Sequence, residues 1–235
     1  MGRDSLLPER RLAIGTRRGE NLLVSEAFDR RPKLRVQRFA SGLDEVFGLG
    51  YRAGAFYATQ QAEVTRIRDV DGDGRADVFD TLSDKWGFGN YHEFSWGSEP
   101  DPDGNIWVVL GLSNSYHYRA DFRGWSFKIT PDGKTIPIAS GIRSAGGVAP
   151  NEHGEMFYVE SQGPWNGSCS LKHLKPGGFM GHPISFEAYK AFPGLGPRPV
   201  EPKSQSRIHI EIGRASGRAR VLISGGAVAL KLHTP

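Results

Sequence analysis

The 235-residue sequence has a single cysteine, Cys169. One thiol excludes an intramolecular disulfide, a cysteine-built zinc site and a C-x-x-C-H haem attachment within the chain. Long apolar runs are missing too, and with a hydrophobic share of 38% no transmembrane segment is expected. The first twenty residues carry Arg3, Arg10, Arg11, Arg17 and Arg18, but no apolar stretch of seven follows, so no signal peptide is read. Gly133-Lys134-Thr135 lacks the earlier glycine of a phosphate loop. Neither a strand-following G-x-G-x-x-G nor a G-x-S-x-G occurs, which removes the common nucleotide-binding and serine-hydrolase signatures.

Acidic residues are scarce only at one end. The formal net charge is +4, yet residues 204–235 hold Arg207, Arg214, Arg218, Arg220 and Lys231 against Glu211 alone, leaving 25 basic and 25 acidic side chains in residues 1–203. Those last 32 positions also lack any aromatic residue. Nucleic-acid binding is not expected, because the arginines have no interleaved rings for base stacking and no recognition-module signature surrounds them. Residues 204–235 read as a basic tail, disordered or non-native.

What is present is organised by self-similarity. Gly54-Ala55-Phe56-Tyr57-Ala58, Gly104-Asn105-Ile106-Trp107-Val108 and Gly154-Glu155-Met156-Phe157-Tyr158 start fifty residues apart. Short strands at a period of about 40–50 residues mark a β-propeller, one blade per repeat. Pro102-Asp103-Gly104 and Pro131-Asp132-Gly133 suit tight turns, and no apolar pattern of helical spacing runs ten residues, so strands are expected throughout. The reading is all-β: a β-propeller of six-bladed type with about three to four blades present. Its units lie near 11–39, 40–90, 91–139 and 140–192, within a partial propeller over residues 1–203. Closed propellers need about 4–8 blades, so a fragment is expected.

Four stretches carry candidate chemistry. From Asp69 to Asp80, carboxylates stand at positions 1, 3, 5, 9 and 12 (Asp69, Asp71, Asp73, Asp77, Asp80) of a twelve-residue calcium loop, with Gly74 at 6. Such alternation wraps a hard cation that takes about 6–8 oxygens, Arg75 lending its carbonyl. Flanking strands rather than helices leave an acidic hairpin loop as the alternative to structural calcium. His92, in Gly89-Asn90-Tyr91-His92-Glu93-Phe94, is of the residue type that serves as general base near neutrality; a plain loop histidine is the other reading. Arg143 just precedes a strand, where its guanidinium can face a central channel and meet an oxyanion or take part in a loop salt bridge. In Ser161-Gln162-Gly163-Pro164-Trp165, free carbonyls can bind a cation or simply form a turn.

In order, His92, the strand start Asp101-Pro102-Asp103-Gly104-Asn105-Ile106-Trp107, Arg143, Gln162-Gly163-Pro164 and Gly177-Gly178-Phe179-Met180-Gly181-His182-Pro183 resemble the soluble quinoprotein glucose/sorbosone dehydrogenases, over roughly residues 12–199. The chain is still more similar to a bacterial branch named for membrane-bound dehydrogenases, often joined to cytochrome c. The resemblance implies a six-bladed propeller that binds pyrroloquinoline quinone (PQQ) and calcium over its central channel and oxidises sugars or other alcohols. It implies His92 as the base that removes the hydroxyl proton, and Arg143 as the group that contacts the cofactor and stabilises charge on the quinone oxygen. Gln162 would contact the cofactor, and the Gly163 and Pro164 carbonyls would hold the cofactor calcium. A small-molecule sugar or alcohol, cytochrome c as electron acceptor, and a periplasmic or cell-envelope location are implied as well. The chain departs from the pattern at Ser144-Ala145, where the family has Asn-Pro, and at Gly146, where it has a cofactor-contacting Gln. No acidic residue occurs between Glu160 and Glu187, where the family has carboxylates, and its later blades have no counterpart. These departures favour the alternative, a non-catalytic propeller that binds a carbohydrate or protein partner on platforms formed by Trp86, Tyr91, Trp96 and Trp165.

Overall fold

The structure, a computed structural model, describes residues 4–7, 11–31, 33–90, 92–112, 120–161, 169–192 and 194–199, together with the backbone of 221–224 and 227–230. Short runs of β-branched and aromatic residues closed by turns become strands. β1 (Asp4–Leu6), β2 (Leu12–Gly15), β3 (Asn21–Ser25) and β4 (Arg35–Ala40) form the first antiparallel sheet in chain order. β5 (Gly48–Arg52), β6 (Ala55–Thr59), β7 (Val64–Arg68) and β8 (Val78–Ser83) form the second. β9 (Ser95–Pro100), β10 (Ile106–Leu110), β11 (Trp125–Ile129) and β12 (Thr135–Ser140) make up most of the third, and β13 (Ala145–Pro150), β14 (Met156–Glu160) and β15 (Ser170–His173) the fourth.

The first strands of successive sheets lie side by side: β1 beside β5, β5 beside β9, β9 beside β13. That radial order is the arrangement of a β-propeller, and the all-β propeller class expected from the sequence is the one observed. Close approach of the inner strands has a local cause. A Cβ on Gly48 would stand 2.3 Å from the Gly97 carbonyl oxygen, so β5 and β9 come together only where a side chain is missing. Gly54, Gly104 and Gly154 take φ of 78°, 88° and 80°, each in the turn between the first and second strands of its sheet. Glycine adopts that backbone without steric cost, which gives the fifty-residue spacing its physical content. Burial falls from the middle of a sheet outward: β10 is buried along its whole length, while the outer strand β4 exposes Arg35 to Arg38.

One segment differs from the expectation. Residues 178–192, expected within the fourth unit, instead serve the third sheet. β16 (Gly178–Phe179) pairs parallel to β12, and after a 3-10 turn (Pro183–Ser185) the helix α1 (Phe186–Ala191) lies over that sheet. The reason is apolar cover: Tyr189 meets Trp125 at 5.1 Å between ring centroids, and Phe192 stacks on Phe122 at 4.2 Å. Within residues 204–235, β17 (Val221–Ser224) pairs antiparallel with β18 (Ala227–Leu230).

Candidate functional site

Connections in an antiparallel meander alternate between the two ends of the sheet. Loops that follow second strands therefore share an end with connections that leave one sheet for the next. His92 lies between β8 and β9, Arg143 between β12 and β13, and Ser161 follows β14, so these positions belong to one face. Asp69 to Asp77 joins β7 to β8 and lies at the opposite end.

Backbone bonds bring the His92 and Arg143 segments to the same strand end. Beyond β10, Gly111 N donates to Phe94 O (2.9 Å) and the next residue, Leu112 N, to Arg143 O (2.7 Å). Ser161 N donates to Ser144 O at 3.0 Å, which places the start of the third loop beside the second. His92 is exposed, its N–H donating to Asn90 Oδ1 (3.0 Å) and its ring edge-on to Phe94 (6.0 Å between centroids). Phe94 in turn meets Phe47 and Trp96. Arg143 is half-buried. Gln162, Gly163 and Pro164 lie outside the described residues, as do Tyr91 and Trp165.

The His92 and Arg143 segments are each held from beneath by a buried charge. Arg123, wholly buried, donates from Nε to Gly87 O (2.7 Å), from Nη1 to Phe94 O (3.1 Å) and Ser95 Oγ (3.2 Å), and from Nη2 to Gln61 O (2.8 Å). One guanidinium fork thus ties both ends of the segment that carries His92. Burial lowers the Arg123 pKa to about 10, with Glu93 pulling the other way. Under Arg143, the buried Glu160 Oε1 accepts from the backbone N–H of Arg143 (2.6 Å) and of Ser144 (3.3 Å). Its Oε2 accepts from Tyr158 OH (3.0 Å) and pairs with Lys172 Nζ, which also reaches Met180 O (3.1 Å). Burial depresses the Lys172 pKa against the pull of Glu160, and burial beside Glu160 raises that of Tyr158 well above its ordinary value.

The sequence reading does not include these anchors or Arg17. Arg17 lies over Phe47 (5.5 Å) and Phe94 (5.8 Å) and pairs with Glu45 at 2.6 Å. A signal existed: Arg17, Gln61 and Gln162 each fall just after the second strand of their sheet. Two other readings change. Trp86 is core rather than platform, since it is 4% exposed, stacks on Phe127 and donates from Nε1 to Gln61 O (3.1 Å). The Asp101-to-Trp107 motif is a turn lock. The buried Asp101 carboxylate accepts from Asn105 N (2.9 Å), Asn105 Nδ2 (2.8 Å) and Trp107 Nε1 (2.9 Å). Burial pushes its pKa up, but hydrogen bonds from Trp107 and then Asn105 outweigh that and leave it below the ordinary value.

On the opposite face, Asp69, Asp71 and Asp77 bring one carboxylate oxygen each within 4.8 Å of one another. Asp73 Oδ1 accepts from Arg75 N (2.8 Å). Asp80 is not brought to this cluster: it sits on β8, where Arg66 (3.1 Å) and Arg68 (2.9 Å) engage it and hold its carboxyl below the ordinary value.

Residues 35–193, more than half of the chain, match the family described as Domain of unknown function (DUF7133). The chain belongs to that family. No curated protein matches the sequence. Among solved structures, this DUF7133 chain is similar to an oxidoreductase (glucose dehydrogenase) of Thermus thermophilus, with TM-score 0.61 and 20% identity over 77% of this chain and 63% of that one. It is similar to the PQQ-bound aldose sugar dehydrogenase of Streptomyces coelicolor, with TM-score 0.55 and 18% identity over 85% and 66% of the two chains. It is also similar to the PQQ domain of pyranose dehydrogenase from Coprinopsis cinerea, with TM-score 0.61 and 12% identity over 78% and 54%. The DUF7133 chain therefore spans less than two thirds of each of these proteins. At such identities the likeness shows the fold, and at that level the resemblance to glucose/sorbosone dehydrogenases holds.

Proposed function

We propose that this chain is part of a PQQ-dependent dehydrogenase that oxidises a sugar or another alcohol, with His92 as the base. The observation that carries the reading is the joint presentation, on one propeller face, of an exposed imidazole beside an aromatic wall and a half-buried guanidinium on an anchored strand start. This donor set suits a planar, anionic quinone: rings offer an apolar side, and Arg143 offers a guanidinium. PQQ, when bound, supplies a two-electron acceptor for hydride. The imidazole of His92 would take the substrate hydroxyl proton and Arg143 would oppose negative charge, while Gln162 would contact the cofactor and the carbonyls of Gly163 and Pro164 would hold its calcium. The electron acceptor is cytochrome c and the location periplasmic or cell-envelope; no helix among the described residues is long and apolar enough to cross a membrane. A structural calcium is assigned separately to Asp69, Asp71 and Asp77, with the Arg75 carbonyl and further oxygens completing about 6–8 donors.

The test is to supply PQQ and calcium and follow dye reduction with a panel of aldoses. His92→Ala is expected to lower kcat by about 10²- to 10⁴-fold while quinone binding, read by absorbance, persists. Absence of sugar-dependent reduction, or an unchanged rate in the variant, refutes the reading.

A further inference from the structure

Two lobes of opposite charge stand side by side at the sheet ends opposite His92. Connections from a third strand to an outer strand share an end, so the β3–β4 connection and the β7–β8 loop both lie there. They are tied together: Gln37 Nε2, on β4, donates to Gly74 O (2.8 Å), and Ala76 N donates to Phe39 O (2.9 Å). From Glu26 to Arg35, four basic side chains stand against Glu26 and Asp29, a net charge of +2. From Asp69 to Asp77, four aspartates stand against Arg75, a net of −3. Glu26 pairs with Arg35 (3.1 Å), which leaves Arg30, Arg31 and Lys33 exposed and, among the described residues, engaged by no acid. Asp71, Asp73 and Asp77 are exposed as well. In or beside these two segments, Phe28, Leu34, Val36 and Val70 are each at least 47% exposed. Exposed apolar groups rimmed by charge mark an interaction surface.

The charge pattern selects the partner. A polyanion or an anionic membrane gains at Arg30 and Arg31 but meets the aspartates beside them, and a basic protein meets the reverse. Like charges set face to face are strongly unfavourable. A partner that satisfies both lobes carries the same two in opposite order. A second copy of this chain, turned by 180°, does so, because every contact made by one copy is made again by the other. We propose that two copies associate through this end, the 26–35 connection of each facing the 69–77 loop of the other. The pairing leaves the His92 face open and is independent of the dehydrogenase reading. A calcium ion in the loop cancels two of its three net charges and weakens the pairing.

The test is sedimentation velocity on the full chain in EDTA, across a range of concentrations at low and high salt. A reversible dimer that loosens as salt rises is expected, since salt screens exposed charges. Arg30→Glu with Arg31→Glu makes both lobes acidic, and Asp71→Lys with Asp73→Lys makes both basic. Each double variant alone is expected to dimerise about a hundredfold more weakly, four symmetric contacts being lost at about threefold each. An equimolar mixture of the two should restore the dimer, because the reversed lobe of one then faces the reversed loop of the other. All four changed side chains are exposed, and thermal unfolding checks that the fold is kept. Lys33→Glu, which lies outside the strands, should weaken the dimer about tenfold and decides the case if a loop variant does not fold. The proposal is overturned if the parent is monomeric throughout, or if salt and Lys33→Glu leave its association unchanged. It is equally overturned if two folded double variants fail to pair when mixed.

Discussion

The Glu160–Lys172 pair offers the sharpest test of how the Arg143 segment is held. Both side chains are 1% exposed, so neither charge has water to fall back on. Glu160→Gln keeps an oxygen for the Arg143 and Ser144 N–H groups but strips Lys172 of its counter-charge. Breaking a buried pair from one side costs about 3–5 kcal/mol, or about 10 °C in Tm for a chain of this size. Lys172→Met leaves a buried carboxylate that still accepts from Tyr158 and the two backbone N–H groups, so its cost is expected at the low end of that range. In the double variant no uncompensated charge remains, and its loss should be less than that of Glu160→Gln alone. Urea unfolding of the four proteins closes the cycle. If each single change costs below about 1 kcal/mol, or if the two losses simply add, the pair is not coupled and the anchor argument fails.

Further outcomes follow from other contacts. Arg123→Met removes four donated bonds from beneath the His92 segment; stability should fall by about 3–5 kcal/mol, and amide exchange in residues 87–95 should rise more than elsewhere. A uniform rise in exchange would contradict the local role. Asp101 has its folded pKa below the unfolded value of about 3.9. Its contribution is therefore complete above that value and is lost as pH falls through the folded one. Asp101→Asn should flatten the acid limb of the urea midpoint, and a limb parallel to the parent would contradict this. Calcium calorimetry should lose its signal in Asp71→Ala and keep it in Asp80→Asn, because Asp80 is engaged by Arg66 and Arg68; the opposite pattern, or no binding in the parent, removes the structural calcium.

The fold class was legible because its signals are local. A glycine that must adopt positive φ recurs at Gly54, Gly104 and Gly154, and alternation with turn residues marks each strand. What escaped the sequence was contact at long range. Nothing near Arg123 says that its guanidinium reaches Gln61, 62 positions earlier, and Trp86 reads as a platform until Phe127 is found stacked on it. Asp80 falls on a calcium-loop position by spacing, yet strand pairing sets it opposite Arg66, and an ion pair across the ladder claims it. Arg17 carries no such mark, because the first unit lacks the glycine that frames the other three.

The departures from the sugar dehydrogenase pattern have a physical reading. Where the family has Asn-Pro, this chain has Ser144-Ala145, but the Glu160 anchor uses the backbone N–H groups of residues 143 and 144. An anchor of that kind is indifferent to the side chain at 144 and needs no N–H at 145, so the change leaves the frame of Arg143 intact. Gly146 differs in kind: it is exposed, and a Cβ there would meet Val159 Cγ2 at 3.1 Å. A longer side chain at this position requires Val159 to give way, so the missing amide is built into the local packing. The backbone anchor of Arg143 is thus independent of the side chain at 144, whereas position 146 offers no polar side chain. Under the proposed dehydrogenase reading, these changes would leave proton removal by His92 untouched and weaken the hold on the cofactor.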